Sequence, residues 1–333
     1  MKLWYTNQVF NYTAFLMSRA IKHRSLLLSV LTFITVILAV HFIWGWKTLL
    51  SFWQAIPLPY LLAFTLLYWF SYLVRSYRIS TYFESSTIKL PTKIVLPLVI
   101  KQTFWANLLP AKAGEISFPI LMKRAFATPY SHSVPALLVL RLFDAYVLAC
   151  IAVALICYTQ FAYLTWLWLV LAVFIPLSGT FLRKHFIWLT YRYRKYKKAR
   201  FVWQILTNIP STYAKLLKMS VLSWLNWAVK ILLFAALLAS MTPFTLDQTT
   251  FGALFGEVSG MLPGLPGGFG SYEAAVSFGL MSNGINSELI SKTELIAAAV
   301  NSHFFILFNS IFGAIIVFML PDSSTTLERN YDL

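Results

Sequence analysis

Charged side chains are scarce in this sequence. Asp, Glu, Lys and Arg together make up 11% of its 333 residues, whereas an ordinary soluble domain carries about 25%. Hydrophobic residues account for 59%, and the mean hydropathy is +0.70. This balance excludes an ordinary soluble domain and predicts an all-α polytopic membrane bundle, because helices satisfy their own backbone hydrogen bonds in lipid.

Cysteines and metal-ligand patterns are also sparse. The two cysteines, Cys150 and Cys157, lie in one apolar run. Their spacing puts them on one helix face but beyond the Cα separation of about 7 Å that a disulfide tolerates, so we interpret them as packing residues. The five histidines are scattered and no C-x-x-C occurs, so we expect no metal site.

Signatures of catalysis are missing as well. The sequence has no Gly-rich phosphate loop, no dinucleotide-binding fingerprint and no H-E-x-x-H motif. No serine or cysteine lies beside an obvious base. We therefore expect no cofactor and assign no catalytic residue, and the pattern favours a transporter over an enzyme.

Acidic residues are few, with 11 against 27 basic residues and a net charge of +16. A nucleic-acid partner would explain such a balance. The basic residues, however, fall in short stretches between apolar runs, which is typical of membrane topology and of attraction to anionic lipid. We therefore expect membrane lipids as partners and no nucleic acid.

Six apolar segments are near the roughly 20 residues that a membrane-spanning helix needs. They lie at about 26–46, 57–74, 134–157, 162–182, 219–240 and 293–320. Two further apolar segments, about 94–122 and 251–285, are interrupted by Pro and Gly. We interpret 1–333 as a single integral membrane domain with a basic cytoplasmic loop at about 183–217.

The orientation follows from Lys and Arg, which are retained in the cytoplasm. The segment 183–200 is the strongest inside signal, and in the resulting topology the outer loops hold only Lys47 and Lys292 of the 27 basic residues. Both termini are then cytoplasmic, in a multi-pass inner-membrane protein. The segment 94–122 starts and ends inside, and 251–285 starts and ends outside. We interpret both as re-entrant hairpins that dip from opposite faces, a device of transporters.

The first interrupted segment contains "NLLPAKAGEISFPILMKR", residues 107–124. Pro110 ends one half-helix, Gly114 loosens the turn and Glu115 opens the next half-helix. A helix N-terminus attracts anions, phosphate included, and Lys112 either neutralises Glu115 or binds a phosphate beside it. The alternative is an ordinary cytoplasmic loop with a local ion pair.

The second interrupted segment contains "LPGLPGGFGSYE", residues 262–273. Pro263 and Pro266 end the incoming half, and the glycines let backbone approach backbone or ligand closely. Glu273 lies in the first turn of the outgoing half, where it either satisfies bare N–H groups or receives a cationic group. The alternative is an extracellular turn followed by a capped helix.

The third apolar span contains Arg141 and Asp144, which are three residues apart and therefore on one helix face. Charges inside a span are costly unless they are paired or hydrated. One interpretation is a self-satisfied pair within the helix. The other places both residues in a cavity with Lys112, Glu115 and Glu273.

Four isolated polar residues occur in later apolar segments. Lys230 and Glu257 are candidates to pair with each other or with a site residue. Asn301 and His303 are candidates to line the same cavity. Taken singly, each of the four fits a packing role as well.

These three motifs together resemble the flippase-like transmembrane domain of lysylphosphatidylglycerol synthases and its stand-alone relatives. That family carries N-x-x-P-x-[RK]-x-G-E, then R-x-x-D, then P-x-P-G-G-x-G-x-x-E. The matching residues here are Asn107, Pro110, Lys112, Gly114, Glu115, Arg141, Asp144, Pro266, Gly267, Gly268, Gly270 and Glu273. The order and spacing match, and the resemblance covers nearly the whole chain.

Three departures from the family pattern stand out. Lys112 replaces the more usual Arg, which disfavours bidentate phosphate binding. Pro263 is followed by "GLPGG", which shifts the proline pattern, and the last span, in which the family leads us to expect an Arg, reads "NSHFFILFNS" with His303 as a candidate replacement. We expect no soluble aminoacyl-transferring domain, and hence no lysyl transfer.

The resemblance and the charged motifs predict a lipid translocator, a flippase or scramblase for a phospholipid or lipid-linked headgroup. The predicted substrate-binding residues are Asn107, Lys112, Glu115, Arg141, Asp144, Gly267, Gly268, Glu273 and His303. The alternative is a membrane-embedded transferase acting on a phospholipid or polyprenyl-linked substrate, with Glu115 or Glu273 as general base. A third interpretation is a scaffold for envelope-biosynthesis enzymes.

Overall fold

The apolar runs of the chain fold as helices in the computed structural model. The structure describes residues 23–84, 90–109, 114–158, 161–262, 265–282 and 290–320. Within these ranges the regular structure is helical throughout and no strand occurs, as expected of segments that must satisfy their backbone groups without water. The all-α fold class predicted from composition is confirmed.

The α-helices of the described residues are numbered here in chain order. They are α1 His23–Ile43, α2 Trp46–Gln54, α3 Leu58–Phe83, α4 Thr92–Leu108, α5 Ser117–Phe126, α6 Tyr130–Tyr158, α7 Ala162–Arg192, α8 Lys197–Asn208, α9 Tyr213–Ala239, α10 Leu246–Ser259, α11 Ser271–Met281 and α12 Lys292–Met319.

Helices α3, α6, α9 and α12 are each long and apolar enough to cross a membrane. Helices α1 and α2 form a fifth candidate together, bent by 87° around Gly45, whose φ of 74° suits glycine. The chain is therefore a multi-pass membrane protein. The count of six spans stays a prediction.

The fourth expected span, 162–182, lies in α7, in which Ala162–Ser178 forms an apolar stretch. At 1.5 Å per residue α7 is about 46 Å long, which exceeds a hydrocarbon core of about 30 Å. The helix therefore carries its basic end beyond the apolar part.

The segment 183–217 is helical for most of its length, since α7 continues to Arg192 and α8 follows, and its place as a basic cytoplasmic loop stays a prediction. Aromatic and basic side chains alternate there at helical spacing. The Arg192 guanidinium lies 5.9 Å from the centre of the Trp188 ring, one turn earlier. Side-chain pairs of this kind stabilise a helix whose surface is exposed.

The chain packs as two compact units. The first comprises the described residues of Met1–Tyr72, Pro97–Ser117 and Ala228–Asp322, and the second those of Leu73–Leu96 and Phe118–Trp227. The single membrane domain over the whole chain stays a prediction.

In the first unit, the described residues of the segment 251–285 fold into two packed helices. Helix α10, a 3-10 turn at Pro266–Gly268 and α11 follow one another, and α10 packs antiparallel to α11, with Gly252 against Leu280. A Cβ atom at Gly279 would lie 2.6 Å from the carbonyl oxygen of Phe251. Only glycine allows this approach, which is typical of close helix packing in membranes.

In the first interrupted segment, Gly114 lies against the end of α4. Helix α4 ends at Leu108, and a 3-10 turn at 114–116 precedes α5. A Cβ atom at Gly114 would lie 1.9 Å from the carbonyl oxygen of Trp105. The glycine is therefore required because the returning chain passes directly against the last turn of α4.

In the second unit, hydrogen bonds from side chains tie α6, α7 and the start of α9 together. The Tyr146 hydroxyl on α6 donates to the carbonyl oxygen of Ala172 and accepts from the indole N–H of Trp224. The Ser220 hydroxyl donates to the carbonyl oxygen of Val173 at 2.6 Å. These bonds fix the positions of the helices that carry the charged residues of this unit.

Candidate functional site

Buried ionisable side chains of the described residues form two clusters, one in each unit, and one further pair in the first unit. The hairpin cluster consists of Glu273 and His303 in the first unit. The arginine cluster consists of Arg78, Arg141 and Asp144 in the second unit. Both include residues that sequence analysis predicts as substrate-binding.

The hairpin cluster is built around the break between α10 and α11. Gly267 and Gly270 have φ values of 70° and 79°, a backbone region in which side chains are strained and glycine is not. Helix α11 begins directly afterwards, and the Gly270 N–H donates to Oε2 of Glu273 at 2.7 Å. The carboxylate thus satisfies one of the bare amides at this helix N-terminus.

His303 on α12 joins the two sides of this break. Its Nδ1 lies 2.6 Å from Oε1 of Glu273, and its Nε2 lies 2.8 Å from the carbonyl oxygen of Gly267. The residues Glu273 and His303 are only 7% and 2% exposed. One imidazole therefore holds the last helix to both ends of the interruption.

Aromatic rings enclose this imidazole. The rings of Phe269 and Tyr272 each lie with their centres 4.7 Å from that of His303. Phe33 of α1 packs edge-on against Phe269 at 5.2 Å, and the Tyr272 hydroxyl is 3.0 Å from that of Ser302. Water is largely excluded, which strengthens the electrostatic interaction between carboxyl and imidazole.

The end of α4 reaches the same break. A Cβ atom at Gly267 would lie 3.2 Å from the carbonyl oxygen of Asn107, so the two interrupted segments approach each other at this point. Nδ2 of Asn107 is buried and has no hydrogen-bond partner among the described residues. An unpaired amide donor in such a place is costly unless something accepts from it.

A second buried pair lies in the same unit. Nζ of Lys230 on α9 is 2.6 Å from Oε2 of Glu257 on α10. The structure thus selects mutual pairing among the alternatives for these two residues. Their charges cancel, which lowers the cost of burying either one alone.

The arginine cluster centres on the carboxylate of Asp144. Oδ1 accepts from Arg78 at 2.6 Å and from the indole N–H of Trp227 at 3.0 Å, and Oδ2 accepts from Arg141 at 3.2 Å. Arg78 also donates to the Ser223 hydroxyl at 2.8 Å. The Arg141–Asp144 pair is therefore one part of a larger network on three helices.

This cluster has more positive than negative charge. Two guanidinium groups share one carboxylate, and the Arg78 and Asp144 side chains are each 4% exposed, whereas that of Arg141 is 29% exposed. A guanidinium carries five donors in a fork that matches phosphate. The partly exposed Arg141 can therefore meet an anion while Arg78 holds the carboxylate.

Arg78 is the main site residue that sequence analysis misses. In the sequence it serves only as an inside signal that comes after the predicted span 57–74. Helix α3 extends to Phe83, so Arg78 lies within a helix that is long and apolar enough to cross a membrane. The sequence does offer one signal that the helix continues to Arg78: this residue follows Arg75 by three positions, and the apolar pattern continues around both.

The structure brings Asn107, Gly267, Gly268, Glu273 and His303 together in the first unit, and Arg141 with Asp144 in the second. Glu115 lies in the turn at 114–116 and is partly buried. Lys112, together with Pro110 and Pro263, lies outside the described residues. The assignment of these residues to substrate binding stays a prediction.

Comparison with protein families identifies a relationship over most of the chain. The family model described as the lysylphosphatidylglycerol synthase TM region matches residues 26–313. Neither the curated proteins nor the solved structures provide a match. The matched range includes every residue of both clusters.

Proposed function

Because this chain belongs to the family of lysylphosphatidylglycerol synthase transmembrane regions, we propose that it moves a phospholipid or lipid-linked headgroup between the two leaflets of a membrane. The observation that carries the proposal is the meeting of the two interrupted segments beside the buried Glu273–His303 pair. Interrupted helices and buried ionisable groups in a membrane protein mark pathways for polar substrates.

The headgroup phosphate is proposed to bind at Arg141. This guanidinium is partly exposed, and Arg78 beside it neutralises most of the Asp144 charge. Phosphate binding by Arg is bidentate and strong in a site with little water. Lys112, by its place in the sequence motif, is a second proposed contact for the phosphate.

A separate contact for a polar headgroup is proposed at the break between α10 and α11. The backbone carbonyl of Asn107, the Gly268 backbone and Glu273 lie there, and Glu115 is proposed to join them. Acyl chains would stay in the bilayer during the movement. No covalent bond is formed or broken, so the protein acts as a transporter.

The proposed topology has six spans and two re-entrant hairpins that enter from opposite faces, with both termini in the cytoplasm of an inner membrane. Irregular backbone at membrane depth persists only where protein or water surrounds it. The close packing of α10 on α11, with Gly279 against the Phe251 backbone, supports a hairpin of this kind.

A membrane-embedded transferase is the second candidate. The buried Glu273 carboxyl, 2.6 Å from Nδ1 of His303, favours this candidate, because a buried carboxylate beside a lipid site is a candidate general base. In that case Glu273 would remove a proton from an attacking hydroxyl of a lipid substrate. The two candidates differ in the fate of the lipid, which is conserved in one and covalently changed in the other.

Reconstitution in liposomes with labelled phospholipids distinguishes the two candidates. Leaflet exchange and covalent product formation are measured in the same vesicles. We expect exchange of chemically unchanged lipid for the wild type, with Arg141→Ala reduced to the rate of protein-free vesicles. The matched control is Arg192→Ala, an exposed arginine outside both clusters, which should retain exchange. A new lipid product without exchange would favour the transferase.

A further inference from the structure

We propose that the hairpin cluster is a site that binds and releases one proton, and that this proton couples lipid movement to a pH gradient. The inference rests on the proposed translocator function and names its coupling ion. It is carried by three interatomic contacts at the break between α10 and α11.

The contacts of His303 determine which atoms must carry hydrogen. The carbonyl oxygen of Gly267 can only accept, so Nε2 of His303, 2.8 Å away, carries a proton. A neutral imidazole has one N–H, so its Nδ1 is then a bare acceptor. That nitrogen lies 2.6 Å from Oε1 of Glu273, and a contact this short requires a proton between the two atoms.

This proton has two possible positions within the pair. It resides either on the imidazole, as imidazolium beside carboxylate, or on the carboxyl beside neutral imidazole. In both forms the Glu273–His303 pair has no net charge. Oε2 of Glu273 accepts from the Gly270 N–H in either form. The observed geometry is therefore that of the proton-bound state.

Loss of the proton would make this geometry unstable. Two lone pairs would then face each other at 2.6 Å, and one negative charge would remain in a site where Glu273 is 7% exposed. Such a charge is strongly disfavoured without a partner. The imidazole and the carboxylate must then separate, or a cationic group must enter.

Separation of the imidazole from the carboxylate would also change the break between α10 and α11. The same imidazole binds the Gly267 carbonyl, and Gly267 is the point where Asn107 of the first interrupted segment approaches. Loss of the proton therefore loosens the contact of α12 with the break, and with it the place where the two segments meet. This is a two-state element of the kind that alternating access requires.

Among the described residues, few other titratable groups face the cluster from the helices packed against it. The ring of Tyr272 on α11 lies with its centre 4.7 Å from that of the imidazole, at a tilt of 38°. Glu257 of α10 acts electrostatically on Tyr272, but it is paired with Lys230 of α9. From α1 the nearby group is the apolar ring of Phe33, which packs on Phe269. The proton is therefore assigned to Glu273 and His303.

Glu273→Gln is an informative variant because its amide can make the same hydrogen bonds as the proton-bound Glu273–His303 pair. Its oxygen accepts from the Gly270 N–H, and its NH₂ donates to Nδ1 of His303, so the structure should persist without a removable proton. Glu294→Gln is the matched control. Glu294 is also the third residue of its helix and accepts from the N–H of its cap, Ser291, but it is exposed and has no histidine partner among the described residues.

The experiment measures the steady-state leaflet ratio of a labelled anionic phospholipid in proteoliposomes with an imposed pH gradient. With one proton per lipid, a gradient of one pH unit shifts the ratio up to about tenfold, and inverting the gradient inverts the shift. We expect this shift for the wild type and for Glu294→Gln, and none for Glu273→Gln. A wild type that exchanges lipid without any shift, or a Glu273→Gln protein that keeps the shift, overturns the inference.

A second measurement tests the proton site independently of lipid movement. If no lipid moved, the proposed function would fail, but this measurement would still decide whether the pair binds a proton. Nitrogen NMR of ¹⁵N-histidine-labelled protein in bilayers, with His303→Gln to assign its signals among the five histidines, reports both ring nitrogens. We expect Nε2 to stay protonated while the signal of Nδ1 changes on raising the pH, and the change to be altered in Glu273→Gln. A His303 signal that is insensitive to pH overturns the inference.

Discussion

The hairpin cluster and the arginine cluster differ in whether they hold a proton that can be released. The hairpin cluster pairs the Glu273 carboxyl with the His303 imidazole, and we propose that one removable proton lies between them. The arginine cluster pairs one carboxylate with two guanidinium groups, which stay protonated at any pH that the protein meets. The first cluster is suited to change its charge, and the second to keep an excess of positive charge.

This difference suggests separate roles for the two units. A permanent positive excess is suited to bind a phosphate, because its attraction does not vary with pH. A pair that holds one removable proton is suited to change the conformation of the break beside it. Substitutions that remove one partner from each cluster should therefore have different consequences.

The largest loss of stability is expected for Asp144→Ala. Arg78 is 4% exposed in its side chain and would lose its carboxylate, and breaking such a buried pair costs about 3–5 kcal/mol. We expect a large loss of folded protein after detergent extraction, measured by thermal unfolding. The double variant Arg78→Met with Asp144→Leu should recover much of the stability, and failure to do so would show that the charges themselves hold this unit together.

An intermediate loss of stability is expected for His303→Leu. It removes the partners of the Gly267 carbonyl and of Oε1 of Glu273, and each buried group left unpaired costs about 1–3 kcal/mol. Thermal unfolding should show less destabilisation than Asp144→Ala, and adding Glu273→Leu should recover part of it. Independent, additive losses in the double variant would contradict the pairing of these two residues.

The smallest effect on stability is expected for Arg141→Ala. Its side chain is 29% exposed, and partly solvated ion pairs contribute about 0–1 kcal/mol. We expect normal insertion and unfolding, but lipid exchange no faster than in protein-free vesicles. Wild-type exchange by this variant would remove Arg141 from the phosphate site and leave it as a structural partner of Asp144.

Much of the fold could be predicted because lipid restricts the backbone to helices. Apolar runs located the membrane helices, and the Pro and Gly residues around 263–270 located the break between α10 and α11. The pairing of Arg141 with Asp144 followed from their spacing of three residues. These features depend on local sequence.

The remaining features depend on packing between distant segments. Arg78 is 66 residues from its partner Asp144, and no local pattern connects them. His303 was a candidate, but its bonds to both sides of the break arise from the position of α12. The continuation of helix through the basic segment after 183 could not be predicted from charge, because charge marks the end of an apolar span and not the end of a helix.

The proposed translocation depends on the ends of the two interrupted segments meeting inside the membrane protein. The Ser271 hydroxyl donates to the carbonyl oxygen of Gly268 at 2.8 Å, and Gly268 is next to Gly267, the point that Asn107 approaches. This meeting is therefore tested by cross-linking Asn107→Cys with Ser271→Cys in membranes, in a background with Cys150→Ala and Cys157→Ala, using a short bifunctional thiol reagent. Asp247→Cys, an exposed position at the start of α10, serves as the water-accessible control. We expect an efficient cross-link. No cross-link, with both cysteines labelled by a membrane-impermeant reagent as fast as Asp247→Cys, would contradict the meeting of the two segments.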